Sequence, residues 1–173
     1  YNVQDKVTLF YNDYNTYFGI QQTLNLVNFI NKDEPEKICG GIGMQSHVDI
    51  KVPTIELYGT ALEKFLAAGY EVQITELDVT INYDTNGSYS YADEKETNAD
   101  QAKYVGQLMK TILEKNRSRD KNVNPKGVTG ITLWGLYDTI SWRASCSPLL
   151  FDTGITDPKA SFYEFINAAK SMG

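Results

Sequence analysis

Short apolar or β-branched runs alternate with stretches whose apolar residues recur at three- and four-residue spacing, four of each along the chain. The first run predicts a strand over residues 7–14. A helix follows over residues 23–31, with Leu24, Val27 and Ile30 on one face. Residues 39–46 read as a second strand, entered through Gly40-Gly41. Pro53 is expected in the first turn of the next helix, where its missing N–H costs nothing. The stripe of that helix is Ile55, Leu62, Phe65 and Leu66, and Gly69 stops it. A third strand is predicted over residues 71–79. Residues 80–99 are polar, contain Asn86-Gly87 and read as a loop. A third helix is predicted over residues 100–116, turning Ala102, Val105, Leu108, Met109 and Ile112 inward. The fourth strand spans residues 128–136. A long loop then runs to about residue 158, before a last helix that buries Phe162, Phe165, Ile166 and Ala169.

Strand-helix pairs of this kind predict an α/β fold with a parallel sheet and helices outside it. The joins from helix to strand are short, as at residues 68–71, and the loops after the third and fourth strands are long and polar. In a (β/α)8 TIM barrel the loops after the strands carry the chemistry. Four βα units make half of such a barrel, in one domain over residues 1–173, because no linker divides the chain.

The 173 residues carry a formal net charge of −6, and no Lys/Arg cluster is dense enough for a nucleic-acid partner. The nearest candidate, residues 115–121, sits where a helix should end and where cations favour the helix dipole. No apolar run approaches the ~20 residues of a membrane span, so no membrane association is expected. One histidine and two cysteines without a CxxC pair argue against a metal site of the usual kind. Twelve tyrosines and two tryptophans offer rings that could stack on sugars.

Glu76 and Asp78 are two residues apart in a strand, so both face the same side. Carboxylates aimed into a parallel-sheet interior at the C-terminal end of a barrel strand read as catalytic, although solvent-facing acids on strands are common. His47 ends the neighbouring strand and shares a face with Gln45. Its imidazole could hydrogen-bond Glu76 with one nitrogen and Asp78 with the other. Trp134 ends the fourth strand and Trp142 follows it, placed to wall a sugar site or simply to pack.

Read together, these strand ends resemble glycoside hydrolase family 10, the family of endo-1,4-β-xylanases. The matching residues are Leu9-Phe10-Tyr11-Asn12-Asp13-Tyr14-Asn15, Gly41-Ile42-Gly43-Met44-Gln45-Ser46-His47 and Ile74-Thr75-Glu76-Leu77-Asp78. They continue in Leu133-Trp134-Gly135 with Asp138, Ser141-Trp142-Arg143 and Pro148-Leu149-Leu150-Phe151-Asp152. The resemblance covers nearly the whole chain and implies the C-terminal half of a catalytic barrel, strands and helices five to eight. It implies Glu76 as nucleophile, His47 beside it and Asp78 behind His47. Gln45, Trp134 and Trp142 are implied to enclose the sugar at the cleaved bond, and Tyr14 to stack on the sugar beyond it. Asn12 and Arg143 are implied as supporting residues in substrate binding.

Two departures from the family pattern stand out. Thr16-Tyr17-Phe18 follows the NDYN motif, where an acidic residue is usual. The family's general acid/base, a glutamate in a Trp-Asp-x-x-Asn-Glu context, has no counterpart in these residues. The resemblance therefore implies that an N-terminal half supplies it, from the same polypeptide or a second chain. The implied substrate is xylan or xylo-oligosaccharide, with no cofactor or metal required. Secretion follows from the size of the polymer. Two other readings remain: a related barrel hydrolase of another β-glucan, and a non-catalytic carbohydrate-binding barrel. Cys39 at a strand start and Cys146 after the last strand should lie at opposite barrel ends, too far apart for the ~7 Å Cα separation of a disulfide.

Overall fold

A computed structural model describes residues 7–82 and 96–171. Most of the polar loop predicted over residues 80–99, with Asn86-Gly87, lies outside the described residues. The elements run β1 (Leu9–Asp13), α1 (Ile20–Ile30), β2 (Cys39–Met44), β3 (His47–Asp49), α2 (Ile55–Ala67), β4 (Glu71–Thr80), α3 (Asn98–Ser118), β5 (Val128–Leu133) and α4 (Ala160–Ser171). Two 3-10 turns, Asp138–Ile140 and Ala144–Cys146, lie between β5 and α4. All strand pairs are parallel. β1 pairs with β2, β2 and β3 pair with successive stretches of β4, and β5 pairs with the other side of β4. This curled sheet with helices on its outer face is half of a (β/α)8 barrel, as the alternation of elements predicts.

The second strand, predicted over residues 39–46, stops at Met44, and a separate short strand, β3, follows from His47. Ser46 takes a left-handed backbone, φ 66°, and breaks the run after Met44. The chain still follows β4 across the break, because Gln45 O accepts from the Glu76 N–H at 2.9 Å and Ser46 O from the Asp78 N–H at 3.3 Å. His47 therefore opens β3, in register with Asp78.

Helix ends depart from expectation for local reasons. Pro53 lies outside α2, whose N-cap is Thr54; the Thr54 hydroxyl accepts from the Leu57 N–H at 3.2 Å. The helix stops as predicted. Gly69 sits at φ +78°, its N–H donates to Leu66 O, and the Tyr70 N–H donates to Phe65 O. That is the paired bonding of a Schellman end, which favours glycine at the left-handed position. α3 starts at Asn98, two residues early, because Thr97 and Asp100 form a capping box. α1 also starts early, at Ile20, with no side-chain cap on Gly19 to mark it. β5 ends at Leu133 rather than at residue 136, ahead of Gly135 at φ +147°.

The core lies between sheet and helices. Ile42, Met44, Val72, Ile74 and Leu77 of the sheet meet Leu62 and Phe65 of α2 and Val105, Leu108 and Ile112 of α3. In α4 the buried alanine is Ala168 rather than Ala169, which is exposed; Phe162 and Phe165 are partly buried against the core. Cys39 and Cys146 are both buried and are not joined in a disulfide. In the basic run near the end of α3, Lys115 pairs with Glu63, and Arg119 donates to the carbonyls of Asn116, Asn124 and Pro125.

The loop between β5 and α4 is pinned by a buried ion pair. Lys159 Nζ donates to Asp138 Oδ2 at 2.8 Å and to Ser147 O at 2.7 Å, and Asp138 Oδ1 accepts from the Leu149 N–H at 2.6 Å. Burial pushes the Asp138 carboxyl up and the Lys159 amine down, while their contact opposes both shifts. Removing one partner strands the other without its countercharge. Lys159→Met is expected to destabilise the folded protein by about 3–5 kcal/mol. Thermal unfolding should show a Tm lower by on the order of 10 °C; a loss of a degree or less would show that the pair is not structural.

Candidate active site

The strand ends converge on one histidine. His47 Nδ1 lies 3.0 Å from Asp78 Oδ2, and Nε2 lies 3.2 Å from Glu76 Oε2. With both nitrogens protonated the ring donates to both carboxylates at once; with one proton it can donate to only one. Asp78 is almost wholly buried, at 1% exposure. Its Oδ2 also accepts from Trp142 Nε1 at 2.8 Å, and its Oδ1 faces Arg143 at 3.9 Å. A buried carboxylate needs such partners to offset its desolvation.

Glu76 has a second partner on β1. Asn12 Nδ2 donates to Glu76 Oε1 at 3.0 Å. Each Glu76 oxygen is therefore met by one named neighbour, and the carboxylate is held at the mouth of the sheet, 14% exposed at its side chain.

Two tryptophan rings flank His47. The His47 ring stands edge-on to Trp142 and Trp134, with centroids 5.0 and 6.1 Å away. The Arg143 guanidinium lies 4.2 Å from the Trp142 ring centre, within cation–π range. Trp142, Trp134 and Tyr14 remain largely exposed, at 60%, 47% and 63%. Exposed rings beside a carboxylate present apolar faces with polar tips, which suits a sugar chain. Tyr17, two residues past the NDYN motif, is buried, with its phenol 3.5 Å from His47 O. Its phenol donates to Asn15 Oδ1 at 2.7 Å, and burial pushes its pKa up to about 12, against the pull of Arg143.

Of the residues predicted from sequence, Asn12, His47, Glu76, Asp78, Trp142 and Arg143 form one contact network, and Trp134 touches it through His47. Gln45 joins through its backbone, and its side chain is partly buried. Tyr14 lies next to Asp13 at the end of β1, its N–H donating to Asp13 Oδ1 at 2.8 Å. Thr75 joins the network without any signal in the sequence that marks it. Its hydroxyl donates to Asn12 Oδ1 at 2.6 Å.

The sequence model of Glycosyl hydrolase family 10 matches residues 1–168. The chain is 38% identical to endo-1,4-beta-xylanase A of Butyrivibrio fibrisolvens, over 91% of this chain and 33% of that protein. It is 36% identical to the bifunctional endo-1,4-beta-xylanase XylA of Ruminococcus flavefaciens, over 94% of this chain and 14% of that protein. A thermostable mutant xylanase of Cellvibrio japonicus superposes with a TM-score of 0.79 at 27% identity, over 98% of this chain and 51% of that one. A second xylanase of that organism, a mutant in complex with xylopentaose, also reaches 0.79 at 25% identity, over 98% of this chain and 35% of that one. The chain thus spans a third or less of these curated relatives and about half of the first of these solved structures.

Proposed function

The chain belongs to glycosyl hydrolase family 10, and on that premise we propose that it is the C-terminal half of the catalytic barrel of a retaining endo-1,4-β-xylanase. The observation that carries this reading is the setting of Glu76. It is a carboxylate at the C-terminal mouth of a parallel sheet, held at one oxygen by His47 and at the other by Asn12. Xylopentaose in the related C. japonicus structure supports a xylan chain as the ligand.

Retaining glycosidases place two carboxyl groups about 5–5.5 Å apart across the scissile bond. Glu76 attacks the anomeric carbon and forms a glycosyl ester as the bond to the leaving oxygen breaks. A second carboxylic acid protonates that oxygen, then takes a proton from the water that hydrolyses the ester and frees Glu76. Asp78 is not that second group. It is buried behind His47, with Trp142 and Arg143 beside it. The family's pattern assigns the acid/base to a glutamate of the N-terminal half of the barrel, in the same polypeptide or another chain. Trp134, Trp142 and Gln45 surround the sugar under attack, Tyr14 stacks on its neighbour, and Arg143 steadies Trp142. A polymeric substrate of this kind is met outside the cell, which makes the enzyme a secreted one.

The test is the anomer first released when the whole enzyme cleaves xylohexaose, followed by proton NMR. The β-anomer is expected before mutarotation mixes the products. Release of the α-anomer would contradict the mechanism. Faster cleavage of cello-oligosaccharides would favour the β-glucan reading, and binding without cleavage would favour a non-catalytic barrel.

A further inference from the structure

Thr75 and Glu76 are consecutive in β4, yet both side chains reach Asn12. A regular strand forbids this, because neighbours point to opposite faces. The register explains it. Ile74 pairs with Ile131 and Leu77 with Leu133, so three steps along β4 oppose two along β5. One extra residue is accommodated as a bulge, which re-aims a side chain. Ile74 and Leu77 both stay buried in the core, at 0% and 2% exposure. Thr75 and Glu76 lie between them and share the concave face.

Asn12 must cross β2 to meet them, and it crosses at Gly43, its register partner. A Cβ there would sit 2.5 Å from Asn12 Oδ1 and 3.1 Å from Asn12 Cβ, so the path exists only over glycine. At its far end the Asn12 amide has two orientations. In the observed one, Thr75 Oγ1 donates to Oδ1 at 2.6 Å and leaves Nδ2 to donate to Glu76 Oε1 at 3.0 Å. Turned over, Asn12 would set its carbonyl oxygen against the carboxylate, two acceptors face to face.

We propose that Thr75 is a positioning residue for the nucleophile: its hydroxyl fixes the Asn12 amide so that Asn12 donates to Glu76. This rests on Glu76 being the nucleophile. The bulge brings Thr75 to the site and Gly43 gives Asn12 passage; the Glu76 carboxylate requires the amide's Nδ2 side, and the Thr75–Asn12 bond anchors the amide there, holding Glu76 for attack.

The test uses the enzyme that contains this chain together with the rest of its barrel. A fluorinated xylosyl inhibitor that accumulates as the glycosyl-enzyme reads the attack step alone. Thr75→Val is expected to slow trapping about tenfold, the scale of one hydrogen bond to a charged group, with inhibitor binding unchanged. Thr75→Ser restores the hydroxyl and should trap within about threefold of wild type, on the same scale. Gly43→Ala should slow trapping as Asn12→Ala does. In the Asn12→Ala background, Thr75→Val should cost nothing further, because residues that act through one another are not additive. If the valine methyl disturbs folding, Thr75→Ala serves the same cycle. Equal losses with and without Asn12, or full-rate trapping by Thr75→Val, would overturn the proposal. Wild-type enzyme trapped at another carboxylate would overturn the nucleophile reading, and this one with it.

Discussion

Glu76→Gln is expected to abolish xylan hydrolysis by the whole enzyme while leaving it folded. Glutamine keeps the shape of the side chain, so Asn12 can still donate to its carbonyl oxygen in place of Glu76 Oε1. What it cannot do is form the glycosyl ester. Removing a general acid–base group alone typically costs ~10²–10⁴-fold. Loss of the group that makes the covalent intermediate should exceed the upper end of that range. Steady-state rates on xylohexaose, with a melting curve as the control for folding, measure it. A variant retaining about a tenth of wild-type turnover, on the scale of a lost supporting hydrogen bond, would show that Glu76 is not the nucleophile.

The second large effect concerns the chain by itself. Expressed alone, these 173 residues are expected to aggregate or stay molten, and to release no reducing sugar from xylan. Among the described residues β1 pairs only with β2, and β5 only with β4, so each has an open edge. Unpaired edges template association. Leu9 on β1 is 51% exposed, and Trp134 beyond β5 is 47% exposed. In a closed barrel each interior layer draws on strands around the whole circle. Supplying the N-terminal half, covalently or as a second chain, should restore solubility and hydrolysis together. Sedimentation and a reducing-sugar assay, with and without that half, decide it. A soluble, fully active monomer from this chain alone would contradict the half-barrel reading.

Much of the fold and of the site is legible in the amino-acid sequence. The apolar stripe of α3 can be read, because Ala102, Val105, Leu108, Met109 and Ile112 obey helical spacing, whereas the buried Gln101 and Tyr104 carry polar groups that hide them. The partnership of His47 with Glu76 and Asp78 is legible because strand ends in parallel sheets converge. Local backbone geometry is not legible in the same way. The break at Ser46 depends on a left-handed residue that is not glycine, and no turn dipeptide marks it. The early start of α1 has no capping side chain to announce it. Thr75 escapes notice because period-two reasoning sends it to the face opposite Glu76. Only the offset of β4 against β5 brings it round, and that offset lives in the pairing of two strands far apart in sequence. The ion pair of Asp138 with Lys159 is also long-range, and neither residue sits in a spacing that predicts the other.

The most direct measurement of the central claim is peptide mapping of the whole enzyme after incubation with a fluorinated xylosyl inhibitor. Attack by Glu76 predicts a mass increase of one fluorinated glycosyl unit on the peptide holding Ile74-Thr75-Glu76-Leu77-Asp78, with fragmentation placing it on Glu76. An adduct on Asp78, or on a carboxylate outside this chain, would contradict the assignment.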